Sequence, residues 1–256
     1  MPDKDISRDF RPKNQPLSRQ IADRIQQMVM DGELLPGDRL PSERQLADQL
    51  QVSRNMIREA AALLEERGIV NIQTGSGVYI AEVNPNAVNR TLSVYAQRKK
   101  VTVAQIFEVR WALEVDNARL AASNALPEQV EKIRGTIIDM EANKDNLATF
   151  TETDVRFHLL LAEASQNPFF PVLLDTITDL LHKQAWLATG LAGASENALK
   201  HHRNIFAAIE QRDSEAARDA MSAHLASAWD YLLRAVKDPD KPIGEMRFLN
   251  GTSDDE

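Results

Sequence analysis

The sequence predicts a mainly α-helical protein: a winged helix-turn-helix domain, helical with one small β-hairpin, followed by an all-α bundle of six or seven helices. Two amphipathic segments within residues 42–68 lead directly into two short alternating stretches around a glycine-rich turn, which is the element order of a winged helix. Beyond residue 90, apolar residues recur at helical spacing almost throughout. The 256 residues suffice for two domains.

The composition excludes several classes of protein. Hydrophobic residues make up 43% of the chain and charged residues 27%, as in globular proteins, and the absence of cysteine rules out disulfides, thiolate metal sites and cysteine nucleophiles. The sequence has neither an apolar run long enough to span a membrane nor a signal peptide. We therefore expect a cytoplasmic protein without a membrane partner.

The negative charge is concentrated in the second domain. Residues 1–80 carry 11 lysines and arginines against 12 aspartates and glutamates, whereas residues 81–256 carry 19 against 26. Because the N-terminal domain is not basic overall, any DNA binding must depend on where its arginines are placed.

The helix-turn-helix pattern begins after an arm. Residues 1–16 alternate charges and prolines and are expected to be mobile, and the winged helix-turn-helix domain is expected at residues 17–82. Ser42 and Gln45 have the spacing of a capping box, and Ser53 follows a short turn where it can cap a second helix.

This second helix presents polar residues at its start. Its apolar stripe leaves Arg54, Asn55 and Arg58 exposed at the N-terminal end, and these residue types contact base edges and phosphates. Two short helices with arginines also occur in many α-proteins that do not bind DNA. The hairpin that follows, with its turn at residues 74–77, favours the winged helix.

The second domain is expected at residues 90–237, after a linker at residues 83–89 that contains Pro85. Residues 238–256, with two prolines, two glycines and an acidic end, are expected to form a disordered tail. Helices are expected near residues 86–99, 102–124, 127–143, 147–165, 168–189, 195–211 and 214–236.

One aspartate and three histidines of this domain stand among apolar residues. Asp154 and His158 are four residues apart and share a helix face, while His202 and His224 belong to later helices. If all four point inward, a shared divalent cation would offset the cost of burying them, and these ligands suit Zn²⁺, Ni²⁺, Mn²⁺ or Fe²⁺. The alternative is that each is an isolated surface or hydrogen-bonded core residue, because a D-x-x-x-H pair is a weak motif.

Arg110 shares a helix stripe with apolar Ile106 and Leu113, so its charge needs an anion. Glu114, four residues on, is the ordinary partner. A bound anionic ligand is the other possibility.

The first 80 residues resemble a known family. The strings P-G-D-R-L-P-S-E-R at residues 36–44, V-S-R at 52–54, I-R-E-A at 57–60 and G-S-G-V at 75–78 are similar to the N-terminal domain of the GntR family of bacterial transcription regulators. The resemblance implies that Arg44, Arg54 and Arg58 contact DNA and that Gly75 lies at the wing tip that enters the minor groove. We add their neighbours Ser53, Asn55 and Thr74 to the expected DNA-binding surface.

Residues 90–236 resemble the FCD-type ligand-binding domain of the FadR subfamily, through Asp154-x-x-Phe157-His158, the A-S-Q-N string at residues 164–167, His202 with Ile205, and residues 216–225. The resemblance implies that Asp154, His158, His202 and His224 bind a divalent metal beneath an effector cavity, and that Arg110 holds the effector's carboxylate. His201 departs from the family, which more often has Glu there; either it or His202 can point inward, and the spacing to Ile205 favours His202. His182 matches no ligand position and is expected on a helix surface.

Three functions from different classes follow. The first is a transcription regulator, a repressor, that binds a palindromic double-stranded DNA operator as a homodimer and is released by a small carboxylate such as a hydroxy acid or sugar acid. The second is a metal-dependent hydrolase or lyase fused to a DNA-binding domain. No further acidic residue or lysine has the spacing of a general base, so we expect no enzyme and no catalytic residue. The third is a structural DNA-binding protein without a ligand, against which the inward Asp/His set argues.

Overall fold

The first unit of the chain is a winged helix. The computed structural model describes residues 6, 15–82, 85–236 and 238–243, except for the side chains of residues 85–87, 179 and 181–187. The chain divides into two units, residues 1–87 and 88–256. The elements of the first unit are α1 (Leu17–Met30), α2 (Glu43–Leu50), α3 (Arg54–Glu66), β1 (Val70–Gln73) and β2 (Gly77–Ile80).

Local sequence signals fix the helix-turn-helix. Ser42 and Gln45 form the predicted capping box at the start of α2. Gln51 adopts a left-handed conformation, with φ of 56°, which ends α2 and turns the chain. The Ser53 hydroxyl then accepts a hydrogen bond from the Met56 amide at 3.3 Å and caps α3. The strands pair in antiparallel register, with Val70 opposite Ile80.

The core of this unit lies between α1, α2, α3 and the hairpin. It includes one residue of the predicted mobile arm, because Ile6 is fully buried among the apolar side chains of this cluster. The rest of residues 1–14 lies outside the described residues. The principal buried side chains are Ile21, Ile25, Leu46, Ile57 and Leu64.

The described part of the second unit is all-helical, and the predicted bundle of six or seven helices is confirmed with seven. None of its described helices, nor any in the first unit, is both long and apolar enough to cross a membrane. The helices are α4 (Pro85–Arg98), α5 (Val103–Asn124), α6 (Pro127–Ala142), α7 (Leu147–Ala164), α8 (Phe169–Thr189), α9 (Ala194–Glu210) and α10 (Ser214–Ala235).

Helix α5 runs through the middle of the bundle and contacts α7, α8, α9 and α10. Its small residues Ala118, Ala121 and Ala122 are fully buried, and small side chains allow neighbouring helices to approach closely. Asn124 at its end donates a hydrogen bond to the backbone oxygen of Ser165, just after α7, at 3.0 Å. The C-terminal ends of α5 and α7 therefore lie side by side.

Part of the linker predicted at residues 83–89 is helical in the structure, from Pro85 onward. Helix α4 begins at Pro85, because a proline is well suited to the first turn of a helix, where its missing N–H costs no hydrogen bond. Asn89 is buried and donates a hydrogen bond to Asp175 of α8 at 3.1 Å. Residues 83 and 84 lie outside the described residues.

The prediction of a disordered tail from Asp238 does not hold for residues 238–243. The Ala104 amide donates to the Pro239 oxygen at 3.1 Å, and the Ile243 amide donates to the Val101 oxygen at 2.9 Å. Ala104 lies in the first turn of α5, whose amides have no acceptor within the helix, so the tail supplies one. Residues 244–256 lie outside the described residues.

Candidate functional site

Three helices bring three histidines together in the second unit. His158 of α7, His202 of α9 and His224 of α10 are all buried, and one ring nitrogen from each lies within 4.8 Å of the others. Asp154 precedes His158 by one turn, and its Oδ1 atom lies 3.4 Å from His202 Nε2. The four predicted metal ligands therefore share one place in the bundle.

His202 has unmet hydrogen-bonding capacity at both of its ring nitrogens. Its ring is fully buried and stacked on Phe157, with ring centroids 4.3 Å apart. Within the described residues, neither of its ring nitrogens has a hydrogen-bond partner. Leaving a buried polar atom unpaired costs about 1–3 kcal/mol. A cation that accepts the ring's lone pair would remove part of this cost, so the donor set fits a metal ion.

His158 and His224 point their Nε2 atoms at each other, 3.3 Å apart. On its other side, the Nδ1 atom of His158 contacts a carboxylate oxygen of Glu114. We assign the proton of neutral His158 to Nδ1 on the basis of this contact. The lone pair of Nε2 then points into the cluster, as a metal ligand requires.

The electrostatics keep two of the three histidines in the form that binds cations. Burial lowers the pKa of His202 and of His224 well below the ordinary value, and the positive charge of Arg110 lowers it further. Burial raises the pKa of Asp154, an effect partly opposed by the positive charge of Arg110. Imidazoles that resist protonation keep their lone pairs available near neutral pH.

Arg110 contacts Glu114, its predicted ordinary partner, through Nε. Burial alone would lower the pKa of Arg110 and raise that of Glu114, but their mutual attraction outweighs burial in both, so the pair is ionised. A terminal nitrogen of Arg110 also lies 3.4 Å from His158 Nε2. Arg110 is thus paired within the protein and adjacent to the histidine cluster at the same time.

A cavity opens beside this cluster. Its volume is about 70 Å³, which admits several waters or a small organic acid. Its wall combines apolar side chains such as Phe107 with the polar side chains of Arg110, Asp154, Asn197, His224 and Tyr231.

The two adjacent histidines of α9 differ in position. His202 is fully buried in the cluster, whereas His201 is half-buried, with its ring centroid 5.9 Å from that of His224. The side chain of His182 lies outside the described residues.

Sequence reasoning treated Glu114 only as an ion-pair partner of Arg110. Its contact with His158 joins residues far apart in the chain, and no local spacing indicates it.

The predicted DNA-binding residues lie on the exposed side of the winged helix. Arg54, Asn55 and Arg58 are exposed in the first turns of α3, and Thr74 and Gly75 are exposed in the turn between β1 and β2. Arg58 pairs with Glu43 at 3.2 Å and Arg44 pairs with Asp48 at 3.9 Å. Ser53 is exposed, although its hydroxyl is engaged in capping α3.

Comparisons with known proteins define the class. Residues 17–80 match the family described as bacterial regulatory proteins, gntR family, and residues 105–227 match the FCD domain. The chain belongs to the GntR family of transcription regulators, in the subgroup with a C-terminal FCD domain. It is therefore a DNA-binding transcription regulator and not an enzyme.

Individual relatives cover most of the chain. The HTH-type transcriptional regulator LutR of Bacillus subtilis is 33% identical over 80% of this chain and 96% of its own length. The HTH-type transcriptional repressor NanR of Klebsiella aerogenes is 32% identical over 82% of this chain and 83% of its own. The solved structure of Streptococcus agalactiae GntR, 29% identical, matches 82% of this chain and 97% of its own with a TM-score of 0.68.

Proposed function

We propose that this protein is a repressor that a small carboxylate, a hydroxy acid or sugar acid, releases from a palindromic operator. The acid binds in the cavity of the second unit, over a divalent cation held by Asp154, His158, His202 and His224. The observation that carries this proposal is the convergence of three buried imidazole nitrogens, two of them 3.3 Å apart, at the wall of a cavity that Arg110 also lines.

The charge of the site favours an anion. Asp154 contributes one negative charge, a divalent cation adds two positive charges, and Arg110 and Glu114 cancel each other, so the loaded site carries about one positive charge. The cation, whether Zn²⁺, Ni²⁺, Mn²⁺ or Fe²⁺, supplies positive charge and coordination positions for oxygen ligands. The terminal nitrogens of Arg110 can pair with a carboxylate. A cation and an arginine together call for an anionic, oxygen-rich molecule, which favours a hydroxy acid or sugar acid over a fatty acyl thioester.

In the first unit, we assign base contacts to Arg54, Asn55 and Arg58, and a contact at the phosphates or the groove edge to Arg44. The exposed wing turn with Thr74 and Gly75 is assigned to the minor groove. These side chains supply positive charge locally in a domain whose overall charge is close to zero. A regulator of this kind works in the cytoplasm, where its DNA is.

A homodimer would place two such helices on the halves of a palindrome, about 34 Å apart or at a related spacing. Light scattering tests this arrangement. A stable monomer at micromolar concentration would contradict it.

The repressor role is supported by the similarity to a protein named as a repressor.

The proposal is tested in two steps. A thermal-shift screen of hydroxy and sugar acids against the metal-loaded protein identifies acids that raise its melting temperature. Fluorescence anisotropy with a selected operator then measures whether the same acids release DNA at constant salt. A screen without any acid that both stabilises the protein and releases DNA would overturn the effector assignment.

A further inference from the structure

Glu114 is a buried carboxylate that is not one of the four proposed cation ligands. It lies on α5, only 1% exposed, and its two oxygens make different contacts. Oε1 contacts Nε of Arg110, and Oε2 contacts Nδ1 of His158. One side chain therefore touches both the proposed anion anchor and a proposed cation ligand.

The contact with His158 fixes the chemistry of the opposite ring nitrogen. A carboxylate oxygen attracts an N–H group and repels a lone pair, so its contact with Nδ1 of His158 favours the tautomer that carries the proton on that nitrogen. The Nε2 lone pair then faces the cluster, 3.3 Å from His224 Nε2 and 3.4 Å from a terminal nitrogen of Arg110, where a cation could take it. A carboxylate behind a histidine ligand also orients the ring and makes it a stronger base.

The contact with Arg110 leaves the distal part of the guanidinium available. Nε is engaged by Glu114, whereas a terminal nitrogen lies 3.4 Å from His158 Nε2, next to the cavity that Arg110 lines. The negative charge of Glu114 also offsets the positive charge of Arg110, which would otherwise repel a cation nearby. The same carboxylate thus sets the geometry of the anchor and makes a cation tolerable beside it.

We propose that Glu114 is a positioning residue that fixes the orientations of the His158 and Arg110 side chains together. Cation binding and anion binding therefore depend on one another. This inference rests on the proposed function. The substitution Glu114→Gln tests it, because an amide has one acceptor and one donor end. Its oxygen would turn to the charged Arg110, its NH₂ group would face His158, and the ring would move its proton to Nε2.

Three measurements on the full-length protein follow. Competition with a chelator for Zn²⁺ should show a loss of affinity of about 10–100-fold in Glu114→Gln. Nitrogen-detected NMR of the chelator-treated protein should show His158 protonated at Nδ1 in the wild type and at Nε2 in the variant. The affinity for the acid found in the thermal-shift screen should fall as well. Glu108→Gln is the matched control, because it removes the same charge from the exposed face of α5.

Glu114→Asp separates positioning from charge. It keeps the negative charge but is one methylene shorter, so it cannot maintain both contacts, and Zn²⁺ affinity should fall while the fold is retained. If Glu114→Gln does not fold, the Zn²⁺ affinity of Glu114→Asp provides the test. Wild-type Zn²⁺ affinity and an unchanged His158 tautomer in the folded variants would overturn the inference. If the wild type itself binds no divalent cation, the proposed function fails, which is a different result.

Discussion

At the scale of single residues, Arg54 offers the simplest test of the DNA-binding surface. It is the first residue of α3 and is exposed. Because a side chain at this place can read a base edge, Arg54→Ala should weaken operator binding by about 1–3 kcal/mol at matched salt. Fluorescence anisotropy with labelled operator measures the change.

The control for this prediction is Arg67→Ala. Arg67 follows the other end of α3 and pairs with Asp23, so its removal takes away the same charge far along the helix. Operator affinity should change much less than in Arg54→Ala. Equal losses in the two variants would mean that bulk charge, and not base contact, explains the effect.

Arg110 lines the cavity but also pairs with the buried Glu114 carboxylate, so a substitution that tests ligand binding must keep its positive charge. Arg110→Ala would leave the Glu114 carboxylate buried without its charged partner, which typically costs about 3–5 kcal/mol of stability. Arg110→Lys keeps the charge but loses the planar fork, so it should retain the fold and bind the acid more weakly. Urea denaturation and calorimetric titration with the acid measure the two effects. Undiminished acid binding by a folded Arg110→Lys variant would make Arg110 a structural ion-pair residue.

These residues also show what local sequence can and cannot indicate. Asp154 and His158 are related by helical spacing, and the spacing of His202 to Ile205 favoured it over His201 as the inward histidine. The structure places all of these as the spacing suggested, although their role as metal ligands stays a prediction. The second contact of Glu114 could not be found in this way, because it depends on how α5 packs against α7.

At the scale of elements, α7 links the core of the second unit to the histidine cluster. Phe157 on this helix is fully buried and stacks on His202 of α9. Phe157→Ala should therefore destabilise the second unit by about 3–5 kcal/mol and also loosen a proposed cation ligand. Denaturant unfolding followed by helical circular dichroism measures the first effect.

Phe169→Ala is the matched control for this substitution. Phe169 begins α8 and is 72% exposed, so it removes the same atoms from a surface position. Its effect on unfolding should be close to zero. A similar loss of stability in both variants would contradict the burial that the structure gives Phe157.

The elements themselves were largely predictable, because apolar periodicity and caps act locally. Ser42 with Gln45 and Ser53 marked both helix starts of the helix-turn-helix, and these caps are present. The ends of the chain were harder to predict. Residues 238–243 are held by backbone hydrogen bonds to the start of α5, and Ile6 is held by burial in the first unit's core. Both depend on tertiary contacts that composition does not show.

At the scale of the whole molecule, a bound cation should stabilise the second unit. A ligand that binds only the folded form at 100 times its dissociation constant adds about 2.7 kcal/mol. Removal of the metal with a chelator should therefore lower the melting temperature of the wild type. His202→Ala should show no such response, because it lacks one of the proposed ligands. A wild-type melting temperature unaffected by both chelator and added metal would argue against a cation site.

The central claim is that effector-dependent release of DNA requires the cation site. The most direct measurement is a titration of operator complexes with the identified acid, comparing metal-loaded wild-type protein with His202→Ala at the same salt. The winged helix is untouched by the substitution, so both proteins should bind the operator, but only the wild type should release it. Release of DNA from His202→Ala at the wild-type acid concentration would contradict the account.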